Sequence, residues 1–207
     1  RISSAVLQGN ELIDKRVIFE SRPAAPGLDQ IGGRIAFGPD RMLYLTIGDR
    51  FQMERAQNLL DDGGKIIRIN TDGSIPDDNP FVGRSDALPE IYSYGHRNPQ
   101  GLIGNVGDGQ LWSIEQGPKG GDELNLVKAG ANYGWPLVTY GTNYDGTIIS
   151  DRTSAPGLVD PIYYWVPSLA TANLVSYYGN IMPDDWRGDF LVGGLSGECL
   201  IRLRMDS

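Results

Sequence analysis

Ile67-Arg68-Ile69-Asn70-Thr71-Asp72-Gly73-Ser74 returns 134 residues later as Ile201-Arg202-Leu203-Arg204-Met205-Asp206-Ser207, and Arg1-Ile2-Ser3-Ser4 stands 67 residues before Arg68. A second echo, Asp40-Arg41-Met42-Leu43-Tyr44 against Asp108-Gly109-Gln110-Leu111-Trp112, is offset by 68. Two independent markers therefore share nearly one period. An intermediate copy at Leu124-Asn125-Leu126-Val127 divides the long step into 57 and 77 residues, uneven because of the segment from Val138 to Asp160. About three repeats of this size suit the four-stranded blades of a β-propeller better than the shorter units of a solenoid. The alternative is a β-sandwich with coincidental echoes.

Between the markers the pattern is that of strands. Short runs at Arg34 to Phe37, Met42 to Ile47, Lys65 to Asn70, Glu90 to Tyr94 and Leu111 to Ile114 are bounded by turn chemistry. The turns are Gly38-Pro39-Asp40, Thr71-Asp72-Gly73-Ser74, Val106-Gly107-Asp108-Gly109 and Asn143-Tyr144-Asp145-Gly146. The 28 Gly and 13 Pro among 207 residues, without collagen periodicity, agree with many turns, and 40% apolar residues suffice for a core. The fold class is all-β, a single partial β-propeller domain over residues 1–207. About three to three and a half blades cannot close a ring, and an open arc leaves two apolar blade faces bare. The expectation is a segment of a longer protein whose first and last blades are missing, or self-association that covers those faces.

Lys plus Arg number 18 against 26 Asp plus Glu, a formal charge of −8. Nucleic-acid binders carry a basic stripe, so this balance argues against such a partner and for a small or sugar-like one. No run approaches the roughly 18 apolar residues of a membrane span, and Arg1 to Asn10 lacks a signal-peptide core. The single Cys199 excludes an internal disulfide and reads as a small buried hydrophobe. The single His96 excludes a multi-His zinc site.

Polar residues cluster beyond the needs of folding in three places. Asp49, after the run Leu43 to Ile47, is either a turn residue accepting backbone N–H bonds or a carboxylate facing a central channel. In Tyr94-Gly95-His96-Arg97-Asn98-Pro99-Gln100-Gly101, Arg97 could grip a ligand carboxylate with Asn98 and Gln100 adding directional bonds, or pair with an Asp between blades. Glu115-Gln116-Gly117-Pro118-Lys119-Gly120-Gly121-Asp122-Glu123 combines carboxylates with exposed carbonyls, the ligands of a hard cation such as calcium, without EF-hand or P-loop spacing. The aromatic run Tyr163-Tyr164-Trp165 is either core or a surface on which a sugar ring stacks.

Taken in series, seven segments resemble the soluble PQQ-dependent glucose/sorbosone (aldose sugar) dehydrogenases. They are Gly33 to Asp40, Thr46 to Asp49, Gly64 to Asn70, Asp72 to Pro76, Gly95 to Gly101, Glu115 to Pro118 and Asn132-Tyr133-Gly134-Trp135-Pro136. The resemblance implies a six-bladed propeller, of which this chain spans about the middle half. It implies oxidation of an aldose at its anomeric carbon to the lactone, with hydride passing to calcium-bound PQQ and onward to an external electron acceptor, in the periplasm or outside the cell. By the same resemblance the carbonyls of Gly117 and Pro118 hold the cofactor calcium, and Glu123 and Tyr133 belong to a second, structural calcium site. Arg97 sits over the reactive quinone oxygen, Asn98 and Gln100 border the cofactor, Asp49 orients the catalytic base, and Gln57 touches substrate.

The chain departs from the family at Gln30, which stands where the family has its catalytic His, and an amide cannot take a proton at neutral pH. Impaired activity is the expectation. His96, on the opposite side of a strand from Arg97, is not a replacement base. Two alternatives follow: a non-catalytic propeller that binds sugar or protein, and a calcium-dependent lactonase-like hydrolase.

Overall fold

Why the strands read as unbroken apolar runs, rather than alternating ones, is explained by the way they are sandwiched. In the computed structural model, which describes residues 1–24, 27 and 29–205, three antiparallel sheets stand side by side. The first is β3 (Gly32–Phe37), β4 (Leu43–Ile47), β5 (Lys65–Ile69) and β6 (Ile91–Tyr94). The second is β7 (Pro99–Gly104), β8 (Leu111–Glu115), β9 (Asp122–Val127) and β10 (Tyr163–Trp165); the third is β11 (Thr171–Ser176), β12 (Phe190–Gly194) and β13 (Cys199–Leu203). A hairpin of β1 (Ile2–Gln8) and β2 (Glu11–Phe19) precedes them. Within each sheet, strands pair in sequence order, and the first strands β3, β7 and β11 pack against one another at the centre. This is the blade arrangement of a propeller.

The echoes have a structural meaning. The Ile67, Leu124 and Ile201 copies fall on β5, β9 and β13, the third strand of each blade, and the Asp40 and Asp108 copies precede the second strands β4 and β8. Each first strand also begins with an irregular register, between Gly32 and Ile35, Pro99 and Gly101, and Thr171 and Asn173. Such bulges bend a strand and re-aim its side chains.

Alternate residues of one strand join different cores. On β4 and β5, Leu43, Leu45, Ile47, Ile67 and Ile69 pack with Ile2 and Phe19 of the hairpin, whereas Tyr44 and Ile66 pack with Leu102, Leu111 and Val127 of the second blade. On the next blade Trp112, Ile114 and Leu124 meet Leu174, Phe190 and Val192 of the third. Both faces of the central strands are thus buried, which removes the polar alternation of a half-exposed sheet.

One expectation is corrected and one open alternative is decided. Cys199 is exposed, because it opens β13 beyond the reach of the core. Tyr163 and Tyr164 are 52% and 44% exposed because β10 is the outer edge of its blade; Trp165 alone of the three packs onto a core cluster.

Ile67 is fully buried between the first blade and the hairpin. Ile67→Ala should cost about 2–5 kcal/mol, read as a lowered urea midpoint with an unchanged slope.

Candidate functional site

The turn after β6 builds the site. Gly95 takes φ +76°, and a Cβ there would lie 2.1 Å from the Asn132 side-chain oxygen, so the chain can turn inward only with glycine. Its neighbours then diverge. His96 is fully buried: its Nε2 lies 2.9 Å from Ser93 Oγ, its Nδ1 3.0 Å from Glu115 Oε1, and its ring stacks on Tyr133. Arg97 goes the other way, into a pocket, while its backbone N–H donates to Glu115 Oε2 at 2.7 Å. His96 is therefore a structural residue, though it lies in the turn between β6 and β7 and not on a strand as the sequence reading assumed.

In the pocket the Arg97 guanidinium donates from Nη1 to the carbonyls of Gln116 (2.9 Å) and Gly117 (2.6 Å) and lies over the Trp135 ring. Arg97 and the Gly117-Pro118 loop, distant in sequence, are thus adjacent. Among the described residues no carboxylate forms a salt bridge with this side chain, so its charge is not neutralised by a fixed partner; the alternative of a structural Arg–Asp pair does not hold. Asp49, just beyond β4, accepts Phe51 N–H on Oδ1 and the Trp135 indole N–H on Oδ2, at 3.0 and 2.8 Å. With its amide oriented to satisfy both neighbours, Gln30 bridges the two charges: its nitrogen donates to Asp49 Oδ1 and its oxygen accepts from Arg97 Nη2 at 2.7 Å. Burial pushes the Asp49 carboxyl up to about 6, against the lowering pull of the Trp135 bond and the Arg97 charge.

The remaining predicted residues divide. Asn98 accepts from Gly32 N–H and from the Gln100 amide, and donates to Gln116, whose own amide reaches the Thr171 carbonyl. This amide chain ties all three blades together beside Arg97. Gln57, expected to touch substrate, exchanges amide bonds with Asn132 and donates to the Trp135 carbonyl at 2.7 Å. Glu123 and Tyr133 meet Glu115 at a small cavity of about 10 Å³, where burial and the neighbouring Glu115 charge raise the Glu123 carboxyl well above the usual range. Among the described residues no group of three or more His, Cys, Asp or Glu is placed to hold a metal, so a cation here must lean on carbonyl oxygens.

Three participants escape the sequence reading. Trp135 stands in a motif that resembles the family's, yet its role as pocket wall needs coordinates. Tyr144, whose hydroxyl lies 3.3 Å from Arg97 Nη2, sits in what reads as an ordinary turn. Asp122 is a third: completely buried, it accepts from Gly117 N–H, Ser168 Oγ, Leu169 N–H and Thr171 N–H, and so fastens the carbonyl loop to the third blade.

With the geometry established, comparison with known proteins defines the class. The family described as glucose/sorbosone dehydrogenase matches residues 1–207, and the chain belongs to it. It is 38% identical to the aldose sugar dehydrogenase YliI of Escherichia coli (strain K12), covering 93% of this chain and 52% of that one. A crystal structure of a glucose dehydrogenase superposes with a TM-score of 0.95 at 38% identity, over 99% of this chain and 60% of that one. The PQQ-bound aldose sugar dehydrogenase of Streptomyces coelicolor gives 0.73 at 33% identity, over 96% and 52%. The chain spans about half the length of the curated relatives it matches.

Asp122→Ala would leave four donors without their acceptor. It should destabilise the protein by more than about 3 kcal/mol, seen as a lowered thermal midpoint, and should speed proteolysis between Gly117 and Thr171.

Proposed function

We propose that this chain carries the sugar-oxidising centre of an aldose dehydrogenase, which takes an aldose at its anomeric carbon to the lactone using calcium-bound PQQ and then an external electron acceptor. What carries this reading is that Arg97, free of any carboxylate partner among the described residues, bonds the Gly117 carbonyl beside a pocket that Arg97 and Pro118 both line, in a chain of this family. Location in the periplasm or outside the cell belongs to the same proposal; no described helix is long and apolar enough to cross a membrane.

The residues fit both groups. Gly117 and Pro118 present main-chain carbonyls, hard oxygen ligands of the kind calcium prefers. Their loop is a cradle for which glycine is required, since a Cβ on Gly117 would lie 2.2 Å from the Gly120 carbonyl oxygen. Beyond the loop, a cavity of about 310 Å³ bordered by Gln116, Pro118, Tyr144 and Ser168 falls within the range of small-molecule sites. The second cation fits at Glu123 and Tyr133: the small cavity there is the size of one ion or water, and Asn125, bonded to Glu115 and Glu123, leaves its own Oδ1 buried without a partner.

When bound, PQQ would supply the two-electron oxidant and calcium the Lewis acid beside it. Arg97 would present an aimed positive charge, held flat by Trp135 and anchored by two carbonyls, to the oxygen on which negative charge gathers. Asn98 and Gln100 would hold the inner wall, fixed by the amide chain, so that the pocket need not reorganise when charge develops.

The test is to add PQQ and calcium to the purified chain, follow cofactor uptake by equilibrium dialysis, and then follow aldose-driven dye reduction. Calcium-dependent uptake and dye reduction are expected, with Arg97→Ala lowering kcat by about 100- to 1,000-fold. Absence of uptake in both the chain and its Gln30→His variant would overturn the proposal, and lactone hydrolysis without PQQ would replace it with the hydrolase reading.

A further inference from the structure

Oxidising a hydroxyl to a carbonyl requires a proton acceptor at the hydroxyl, and the pocket around Arg97 offers few. Gln30 and Asn143 are amides, Arg97 is a cation, and Tyr144 places its phenol beside that cation. The imidazole of His96 is sealed away with both nitrogens engaged by Ser93 and Glu115. Among the described residues, Asp49 is the one carboxylate on the wall of this pocket.

Its bonding leaves it competent. Oδ1 is filled by Phe51 N–H and the Gln30 amide, whereas Oδ2 accepts the Trp135 indole and keeps a further lone pair among the described contacts. Gln30 is locked between Asp49 and Arg97, which keeps the carboxylate from collapsing onto the guanidinium and holds the two charges on opposite sides of one amide.

We propose that Asp49 is the proton acceptor of the sugar oxidation, with Gln30 as its positioning residue. The anomeric O–H bond breaks toward Asp49 Oδ2 and its electron pair becomes the second bond of the new C=O. The C–H pair leaves as hydride to the quinone oxidant, so one proton and one hydride account for the two hydrogens lost. This inference rests on the sugar-oxidation reading above. Burial, and more weakly Glu115, push the carboxyl up, while the Trp135 and Phe51 bonds and the Arg97 charge pull it down; the balance, about 6, leaves it ionised at neutral pH yet able to hold a proton.

Three measurements on the chain test it. In the cofactor-free protein, an infrared carboxyl band titrating near pH 6 should vanish in Asp49→Asn. In the PQQ- and calcium-loaded chain, kcat/KM should fall as pH drops through the Asp49 titration, and Asp49→Asn should lose about 100-fold or more in kcat, with PQQ uptake retained and the acid limb gone. Formate should restore turnover to Asp49→Ala, which a residue of merely structural role would not show. Asp49→Asn turning over within tenfold of the parent with the same acid limb, or Asp49→Ala folded and PQQ-loaded but indifferent to formate, overturns the role of Asp49 alone. A parent chain that takes up PQQ and oxidises no aldose at any pH overturns the sugar-oxidation reading and this inference with it.

Discussion

The site hangs on one buried carboxylate. Glu115 ends β8 at the point where three elements converge, and its two oxygens divide the work: Oε1 meets His96 Nδ1 and the Asn125 amide, and Oε2 takes the backbone N–H of Arg97. A carboxylate with that little exposure must be saturated with donors, and the turn from Gly95 to Arg97 is what saturates it. The histidine is consumed in the process. Holding the backbone of Arg97 by a fork, rather than its side chain by an ion pair, fixes the root of the residue while leaving its charge available to the pocket.

The surroundings continue this economy of charge. Beside Arg97 the links are amides and carbonyls: Gly32 N–H of the first blade to Asn98, Gln100 to Asn98, Asn98 to Gln116, and Gln116 to the Thr171 carbonyl of the third blade. Neutral dipoles held in place can stabilise charge that appears during a reaction without having to turn. Two further acids stand back from the pocket, Asp122 under the carbonyl loop and Glu123 in the adjoining cavity. A propeller suits such a site because the loops joining its blades converge near the axis while the sheets behind them remain rigid.

The blades were legible because repetition survives where individual residues drift. The Ile-Arg-Ile and Asp-x-x-Leu echoes sit on equivalent strands, and turn residues such as Asp40, Asp72 and Asp145 close their loops with their own side chains, a purely local chemistry. Arg97, Asn98 and Gly117 could be nominated from motif resemblance. What stayed hidden depends on long-range pairing. Nothing around Gln57 says that its amide is matched to Asn132, seventy-five positions on. Nothing in Asn143 to Gly146 says that this turn folds back to bring Tyr144 against Arg97. Cys199 was misjudged, and Tyr163 left open, because hydrophobicity reports what a strand contains and not where in its blade the strand lies.

The two-sided burial of β4 and β5 has a cost in information. Where one face of a sheet meets water, sliding a strand by one position turns its oily side outward, and solvent forbids the error. Here such a slide would exchange one greasy neighbour for another, so solvent is a weak proofreader. The alignment has to be dictated from the strand ends: by the extra residue at the start of β3, β7 and β11, and by polar groups that find their partners in one alignment only. The same irregular beginnings that aim side chains at the axis are thus also the marks by which each blade counts its own place.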